Sequence, residues 1–359
     1  MKLSKIALAS ATALLLTTAL SNAQTTVGGN MRVGLKATSS DFGKGSNSLM
    51  TKETQINIAN KGKLNVGGLD YAAGFSLELD GSDATVGGGT HYENNYINII
   101  NASSGTTLHF GSDHVKPTDV QLSDIVAGAV RIDHVARGAA SASTGVAVYA
   151  TSHSTISGKG EQEAFGIGLI QDVAKLGQIR AIYSPDPSSS ARAQDDVETV
   201  INGTTGNAIK SYAFSGSLGV PGLTVLYGKL DQADETTAVK GLDIDTYGAK
   251  YTMGQFTAAY QKADGNVNTT GMKADSKEYG LAYAATKDLT IGVAQIKTKV
   301  SGTITSGFSA ASNEKITGIN IGYSLGPVAL QVLASKIDDA QGVAGQDGKA
   351  VHLSLGTTF

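Results

Sequence analysis

Apolar and polar residues alternate along this chain in segments of roughly ten residues, from Thr25 to the last residue. In the final segment, Val351, Leu353 and Leu355 lie on one face, while His352 and Ser354 lie on the other. Side chains of a β-strand point alternately to opposite faces, whereas a helix repeats every 3.6 residues. The pattern therefore predicts an all-β chain built from two-faced strands.

Short turns join neighbouring strands into predicted hairpins. The turns are placed at Val220-Pro221-Gly222, Met253-Gly254, Thr286-Lys287-Asp288 and Leu325-Gly326-Pro327. Between these hairpins lie longer polar stretches, at residues 232–242, 264–276, 299–313 and 338–348. Short turns on one side and long loops on the other are typical of a transmembrane antiparallel β-barrel. No stretch after the N-terminus is apolar and long enough for a transmembrane helix, so a barrel is the remaining way to span a bilayer.

The strand count has one ambiguity. Seventeen candidate strands are found if residues 145–152 are included, but a barrel with both ends on one side needs an even number. We predict sixteen strands, with eighteen as the alternative.

Residues 114–143 form the longest connection in the first half of the chain, and it holds both charged and apolar residues. Connections of this length are usually functional or disordered. Folded into the lumen, this segment would narrow the channel. The alternative is an external loop packed on its neighbours.

The N-terminus has the pattern of a secretory signal. Lys2 and Lys5 precede the apolar run 6–20, and Ser21-Asn22-Ala23 follows as a cleavage site of small residues. The alternative is a buried helix or a membrane anchor, for which the run is short. We predict a signal peptide at residues 1–23 and a single barrel domain at residues 24–359.

Composition excludes several classes of protein. The chain has no cysteine, which excludes a disulfide scaffold and thiol chemistry. A net charge of −3 without a basic stripe argues against nucleic acid as a partner. The six histidines are scattered without metal-ligand spacing, and no phosphate loop or Gly-x-Ser-x-Gly elbow is present. His352 and Ser354 share a strand face, but such pairs are common by chance. We expect neither enzymatic activity nor a cofactor.

The signal peptide, the alternating strands, the unequal loops and the terminal Phe359 together resemble the general porins of Gram-negative bacteria. Residues 96–111, the loop that follows and the C-terminus are similar to particular porin segments. The resemblance implies sixteen strands, a homotrimer and an external loop that folds inward, acidic on the loop and basic on the facing wall. It also implies that Phe359 is read as an assembly signal. Aromatic residues are only 6% of the chain, which predicts thin girdles at the membrane interfaces.

Charged residues that face the lumen are the candidates for function, since charges of one sign select ions in a channel. Alternation places Arg32, Lys36, Glu78, Asp80, Arg180 and Lys250 inward. On the long loop, Asp119 and Asp124 would form the acidic side of the constriction, and Arg131 and Arg137 could lie on either side. The predicted constriction set is Asp119, Asp124, Arg131, Glu78, Arg32, Lys36 and Arg180.

The predicted function is an outer-membrane channel for passive diffusion of ions and small hydrophilic solutes. Expected partners are outer-membrane lipid and lipopolysaccharide, the barrel assembly machinery and periplasmic chaperones. One alternative is a secreted, soluble β-rich surface or adhesion protein, which composition alone allows. Another is a substrate-selective porin for sugars or an anion, which remains open if Tyr96 points inward.

Overall fold

The computed structural model describes residues 23–40, 45–79, 91–111, 166–184, 209–233, 240–267, 272–302, 310 and 313–359. The strands are β1 Gln24–Ser40, β2 Gly45–Lys63, β3 Asp70–Glu78, β4 His91–Asn101, β5 Thr106–Gly111, β6 Gly166–Val173, β7 Gly177–Ser184, β8 Ile209–Gly216, β9 Leu223–Ala233, β10 Lys240–Met253, β11 Phe256–Val267, β12 Met272–Ala284, β13 Leu289–Ser301, β14 Glu314–Leu325, β15 Val328–Asp338 and β16 Gly348–Thr358. A short 3₁₀ helix, Ala340–Gly342, lies between β15 and β16. No helix in these ranges has the length and apolar character needed to cross a membrane.

The sixteen strands close into one antiparallel barrel. Each strand pairs with its neighbours in the chain, and β1 pairs with β16 in a register that sets Gly34 opposite Ser354 and Lys36 opposite His352. Closure leaves none of the described strands with an unpaired edge, which is the condition for a sheet to exist in lipid. The predicted fold and the count of sixteen are confirmed. The seventeenth candidate, residues 145–152, lies outside the described residues.

Alternation along the strands separates an inner from an outer face. On β16, His352 and Ser354 are buried and point into the barrel, while Val351, Leu353 and Leu355 are exposed on the outside. The same rule holds on β14, where Asn320 is buried and Ile319 and Ile321 are exposed. Outward apolar residues form a continuous surface suited to hydrocarbon, as a membrane barrel requires.

The connections differ at the two ends of the barrel. One end, called here the turn side, carries both chain ends and the short turns at 64–69, 102–105, 174–176, 217–222, 254–255, 285–288 and 326–327. The other end, called the loop side, carries the remaining connections, of which 112–165 is the longest. The turns predicted at Pro221, Gly254, Lys287 and Gly326 are confirmed.

Two loop-side connections are shorter than predicted, because the strands continue through polar sequence. The loop predicted at 264–276 reduces to residues 268–271, and the one at 232–242 reduces to 234–239. Charge pairs between outward-facing side chains stabilise these extensions: Lys262 Nζ lies 2.8 Å from Asp264 and 3.0 Å from Asp275. Lys229 contacts Asp243 across the β9–β10 pair at 3.3 Å. Polar residues that look like loop in the sequence are therefore strand residues.

Aromatic side chains form two rows on the outer surface of β9–β12. One row consists of Tyr227, Tyr247, Tyr260 and Tyr279 on β9–β12. Tyr260 and Tyr279 lie with their ring centroids 5.3 Å apart. Nearer the turn side, Phe256 and Tyr283 stack at 4.8 Å. Aromatic rings favour the interface between hydrocarbon and water, so these rows mark the height of the membrane on this sector.

Candidate functional site: the inner wall of the barrel

Two cations of the inner wall lie on β1, beside the seam with β16. Arg32 and Lys36 are four residues apart on the inward face of β1, with Gly34 between them. Lys36 lies opposite His352 in the strand register, and Arg32 lies opposite Gly356. The small residues Gly34 and Gly356 add little bulk to this wall. The prediction that Arg32 and Lys36 point inward agrees with the structure, which also brings them together.

Strands β2 and β3 add further charges to the same side of the barrel. Lys61 and Lys63 continue the inward row of β2 towards the turn side. Lys63 Nζ lies 3.5 Å from Asp70, and both side chains are substantially exposed. Such an exposed pair contributes little to stability. The inner wall from β16 to β2 therefore carries the cations Arg32, Lys36, Lys61 and Lys63, with Glu53 opposite Arg32 in the strand register.

Arg180 lies on β7, six strands away from β1 around the barrel. Its Nε donates a hydrogen bond to Gln178 Oε1 at 2.6 Å, and Gln178 Nε2 donates to Asp172 Oδ1 at 2.8 Å. This chain of side chains holds Arg180 on its own wall, near the turn that joins β6 and β7. The structure thus does not bring Arg180 together with Arg32 and Lys36. Lys250 lies on the inward row of β10.

The acidic half of the predicted constriction is only partly located. Glu78 ends β3, opposite Gln55 of β2 and His91 of β4. Asp80, Asp119, Asp124, Arg131 and Arg137 lie outside the described residues, as does the whole loop predicted at 114–143. An acidic loop facing the basic wall therefore remains a prediction.

Tyr96 points inward on β4, where it lies over Gly74 of β3. A Cβ atom at Gly74 would lie 2.9 Å from the tyrosine ring, so only glycine leaves room for it. By strand alternation, Tyr96 is the aromatic side chain on the inner face of the described strands. One ring is not the aromatic track expected of a sugar-selective channel.

Two histidines, His109 and His352, are buried on the inner wall. His109 Nδ1 lies 2.6 Å from Asn98 Oδ1 across the β4–β5 pair, and the side chain is buried. His352 and Ser354 both point inward, as alternation predicts. In the part of the chain that the structure describes, no three His, Asp or Glu residues are grouped so that they could hold a metal ion.

A hollow of about 610 Å³ opens in the inner wall on the turn side, next to Arg32. Its inward residues are small or polar, since β14 contributes Gly322 and Ser324 and β16 contributes Ser354 and Gly356. Lys287 and Asp288 from the β12–β13 turn lie at its edge. This part of the wall leaves room for water or solute beside the Arg32 guanidinium.

Sequence reasoning missed the charges Lys61, Lys63, Asp70 and Asp172 on the inner wall. Their strands carry the alternation needed to assign a face, but the residues lie close to turns. A charge near a strand end is assigned to a face only when the strand register is known. The alternation of β2 continues as far as Lys63, and this pattern could have placed Lys61 and Lys63 on the inward face.

Phe359 completes the seam between the first and last strands. Its backbone N–H donates to the carbonyl of Gly29 at 3.0 Å, and the N–H of Gly29 donates to the carbonyl of Phe359 at 2.9 Å. The two bonds extend the β1–β16 ladder to the last residue of the chain.

Comparisons with known proteins identify a family and a fold for this chain. A family model described as Gram-negative porin matches residues 9–303. An anion-selective porin from Comamonas acidovorans is 13% identical with a TM-score of 0.66, and the match covers 94% of this chain and 100% of that one. A mutant of Rh. blastica porin is 16% identical with a TM-score of 0.60 and the same coverage. At these identities the structural likeness shows the fold. A comparison with curated proteins found no match.

Proposed function

This chain belongs to the Gram-negative porin family and forms an outer-membrane channel for passive diffusion, and we propose on that premise that its lumen favours small anionic solutes. The observation that carries the proposal is the pairing of Arg32 and Lys36 on the inward face of β1, beside His352. Neighbouring cations on the wall of a narrow aqueous path concentrate anions beside them.

The remaining inner charges are of both signs, because Asp70 and Asp172 lie near the turn side, Glu78 lies at the loop-side end of β3, and Glu53 lies opposite Arg32 in the strand register. Lys61 and Lys250 add further cations to the wall. Two of the inward carboxylates of the described strands, Glu278 and Glu314, are buried in the wall and contribute little to the path of a solute. The porin from Comamonas acidovorans, which has the same fold, is described as anion-selective.

The constriction predicted from the sequence forms the second part of this proposal. Asp119 and Asp124 supply a negative side opposite Arg32 and Lys36, with Glu78 at the end of β3, and Arg131 and Arg180 adjust the field. A transverse field of this kind orients polar solutes, while the two neighbouring cations of β1, Arg32 and Lys36, set the ionic preference.

Export and assembly follow the family pattern in this proposal. Residues 1–23 direct the chain across the inner membrane and are removed, and residues 24–359 form the barrel. Phe359 presents the assembly signal to the barrel assembly machinery after transport by periplasmic chaperones. The barrel then associates as a homotrimer among outer-membrane lipid and lipopolysaccharide. A channel of this kind needs no cofactor and no catalytic residue.

Liposome swelling tests the charge preference. Vesicles that contain the protein are placed in isotonic solutions of an anionic sugar acid or of a cationic amino sugar of similar size. Faster swelling with the sugar acid supports the proposal, and equal or slower swelling refutes it. Substitution of Lys36 by Gln is expected to reduce the difference, whereas substitution of Lys210, which is exposed on the outer face of β8, is expected to leave it unchanged.

A further inference from the structure

The inner wall of β13–β16 carries a group of large aliphatic side chains on the loop side, among the buried polar residues Thr298, Glu314 and Ser335. Ile296, Ile316, Leu333 and Ile337 all point inward and are at most 1% exposed. A water-filled lumen is normally lined by polar residues. Large aliphatic side chains at these positions must therefore be covered by another part of the protein.

The connection between β15 and β16, residues 339–347, supplies that cover. Ala340, at the start of the 3₁₀ helix, is 3% exposed and belongs to the same apolar cluster. The 3₁₀ helix lies against β13 and β14, although the connection that contains it joins β15 to β16. The connection must therefore cross the inner face of the barrel.

Hydrogen bonds within the connection hold it in a compact shape. The Asp339 carboxylate accepts from the N–H of Gly345 at 2.8 Å, and the Asp347 carboxylate accepts from the N–H of Asp339 at 3.0 Å. The N–H of Ala340 donates to the carbonyl of Gln346 at 2.8 Å. Gly342 and Gly345 adopt positive φ angles of 75° and 76°, which glycine reaches without strain. The segment is therefore pre-organised and not a random tether.

The same strands change character towards the turn side. The inward row of β14 proceeds from Ile316 through Gly318 and Asn320 to Gly322 and Ser324. On β15 and β16 the row likewise ends in the small residues Ala329 and Gly356, which border the hollow beside Arg32. The wall is thus filled on the loop side and open on the turn side.

We infer that residues 339–347 form a fixed inner cap that limits the size of solutes entering the channel from the loop side. The loop side is external in outer-membrane barrels. The cap and the apolar cluster exclude solute from the β13–β16 side of the entrance. Solutes reach the hollow beside Arg32 only through the rest of the lumen. This size limit is set by shape and does not rest on the proposed charge preference.

The test uses a substitution in the cap that detaches it from the barrel wall and leaves the residues of the wall unchanged. Ala340→Asp places a carboxylate in the apolar cluster, where an unpaired charge is strongly unfavourable, so the cap should leave the wall. Ala344→Asp is the matched control, since Ala344 is exposed on the same connection. Both proteins are reconstituted in planar bilayers with polyethylene glycols of graded size, which are uncharged and report only on the width of the path.

Ala340→Asp is expected to raise the single-channel conductance and to admit larger polymers, while Ala344→Asp keeps the native size limit. The inference is overturned if assembled Ala340→Asp channels retain the native size limit. If Ala340→Asp does not assemble, a chain in which a single glycine replaces residues 340–346 takes its place, with the same two outcomes. If Ala340→Asp changed the ion preference but not the size limit, the cap alone would be refuted. If Ala340→Asp changed the size limit but the native channel showed no anion preference, the charge proposal alone would be refuted.

Discussion

The ring of Phe359 lies where Gly29 has no side chain. A Cβ atom built on Gly29 would lie 2.7 Å from the Cζ atom of Phe359 and 2.3 Å from the carbonyl oxygen of Gln55 on β2. The two residues also exchange backbone hydrogen bonds. Gly29 therefore allows the last residue to pack against the outside of the first strand while β1 stays paired with both of its neighbours.

Gly29→Ala is expected to weaken closure of the barrel, because the added methyl group would clash with the carbonyl oxygen of Gln55 as well as with the ring of Phe359. Gly356→Ala is the matched control on the same seam, since a Cβ there would lie 3.6 Å from its nearest neighbour, the Met31 carbonyl. The measurement is the fraction of heat-modifiable, folded protein after refolding in detergent. Equal folded fractions for the two variants would contradict the role given to Gly29.

Phe359→Ala is expected to lower the amount of protein assembled in the outer membrane, since it removes the terminal aromatic residue while the backbone ladder can still form. Phe256→Ala serves as the comparison, because Phe256 is another outward ring near the turn side. Quantitative blotting of outer-membrane fractions measures the effect. If Phe359→Ala assembled to the level of the native chain, the assembly role proposed for Phe359 would be refuted.

Leu333→Ala is expected to lower the free energy of unfolding by about 2–5 kcal/mol, the usual cost of a cavity left by a buried leucine. Leu333 is completely buried beneath the inner cap, whereas Leu353 on the neighbouring strand faces outward and is 41% exposed. Denaturant unfolding in detergent micelles compares the two alanine variants. If Leu353→Ala cost as much as Leu333→Ala, the cluster would not be a packed core.

Lys262→Gln is expected to cost about 1 kcal/mol or less, because the charges around it are partly exposed and screened by solvent. The lysine contacts Asp264 and Asp275 on the extension of β11 and β12. The loss of thermal stability caused by Lys262→Gln should become smaller as the salt concentration rises. Lys287→Gln, at a lysine that is 90% exposed, provides the reference. A salt-independent loss would show that packing of the lysine stem, not charge, holds these strand ends.

The fold could be predicted because every membrane strand carries the same two-faced pattern. The same alternation placed Arg32 and Lys36 inward, since β1 is long and regular. It could not locate the apolar cluster, because Ile316 and Leu333 face inward only where the connection 339–347 covers them. That cover is a tertiary contact with no local signal. The loop-side ends of β10–β12 were also missed. Their outward face is polar and is stabilised by cross-strand charge pairs, while small residues such as Ala263 and Ala274 on the inward face give only weak alternation.

Single-channel recording in a gradient of potassium chloride tests the central claim most directly. The detergent-extracted protein is added to a planar bilayer, and the reversal potential is measured for the native chain and for the variant with both Arg32 and Lys36 changed to Gln. We predict discrete conductance steps for the native channel. Its reversal potential should have the sign expected for a channel that prefers chloride, and the reversal potential of the variant should lie closer to zero. A bilayer that shows no steps, or a native channel that prefers potassium, would contradict the account.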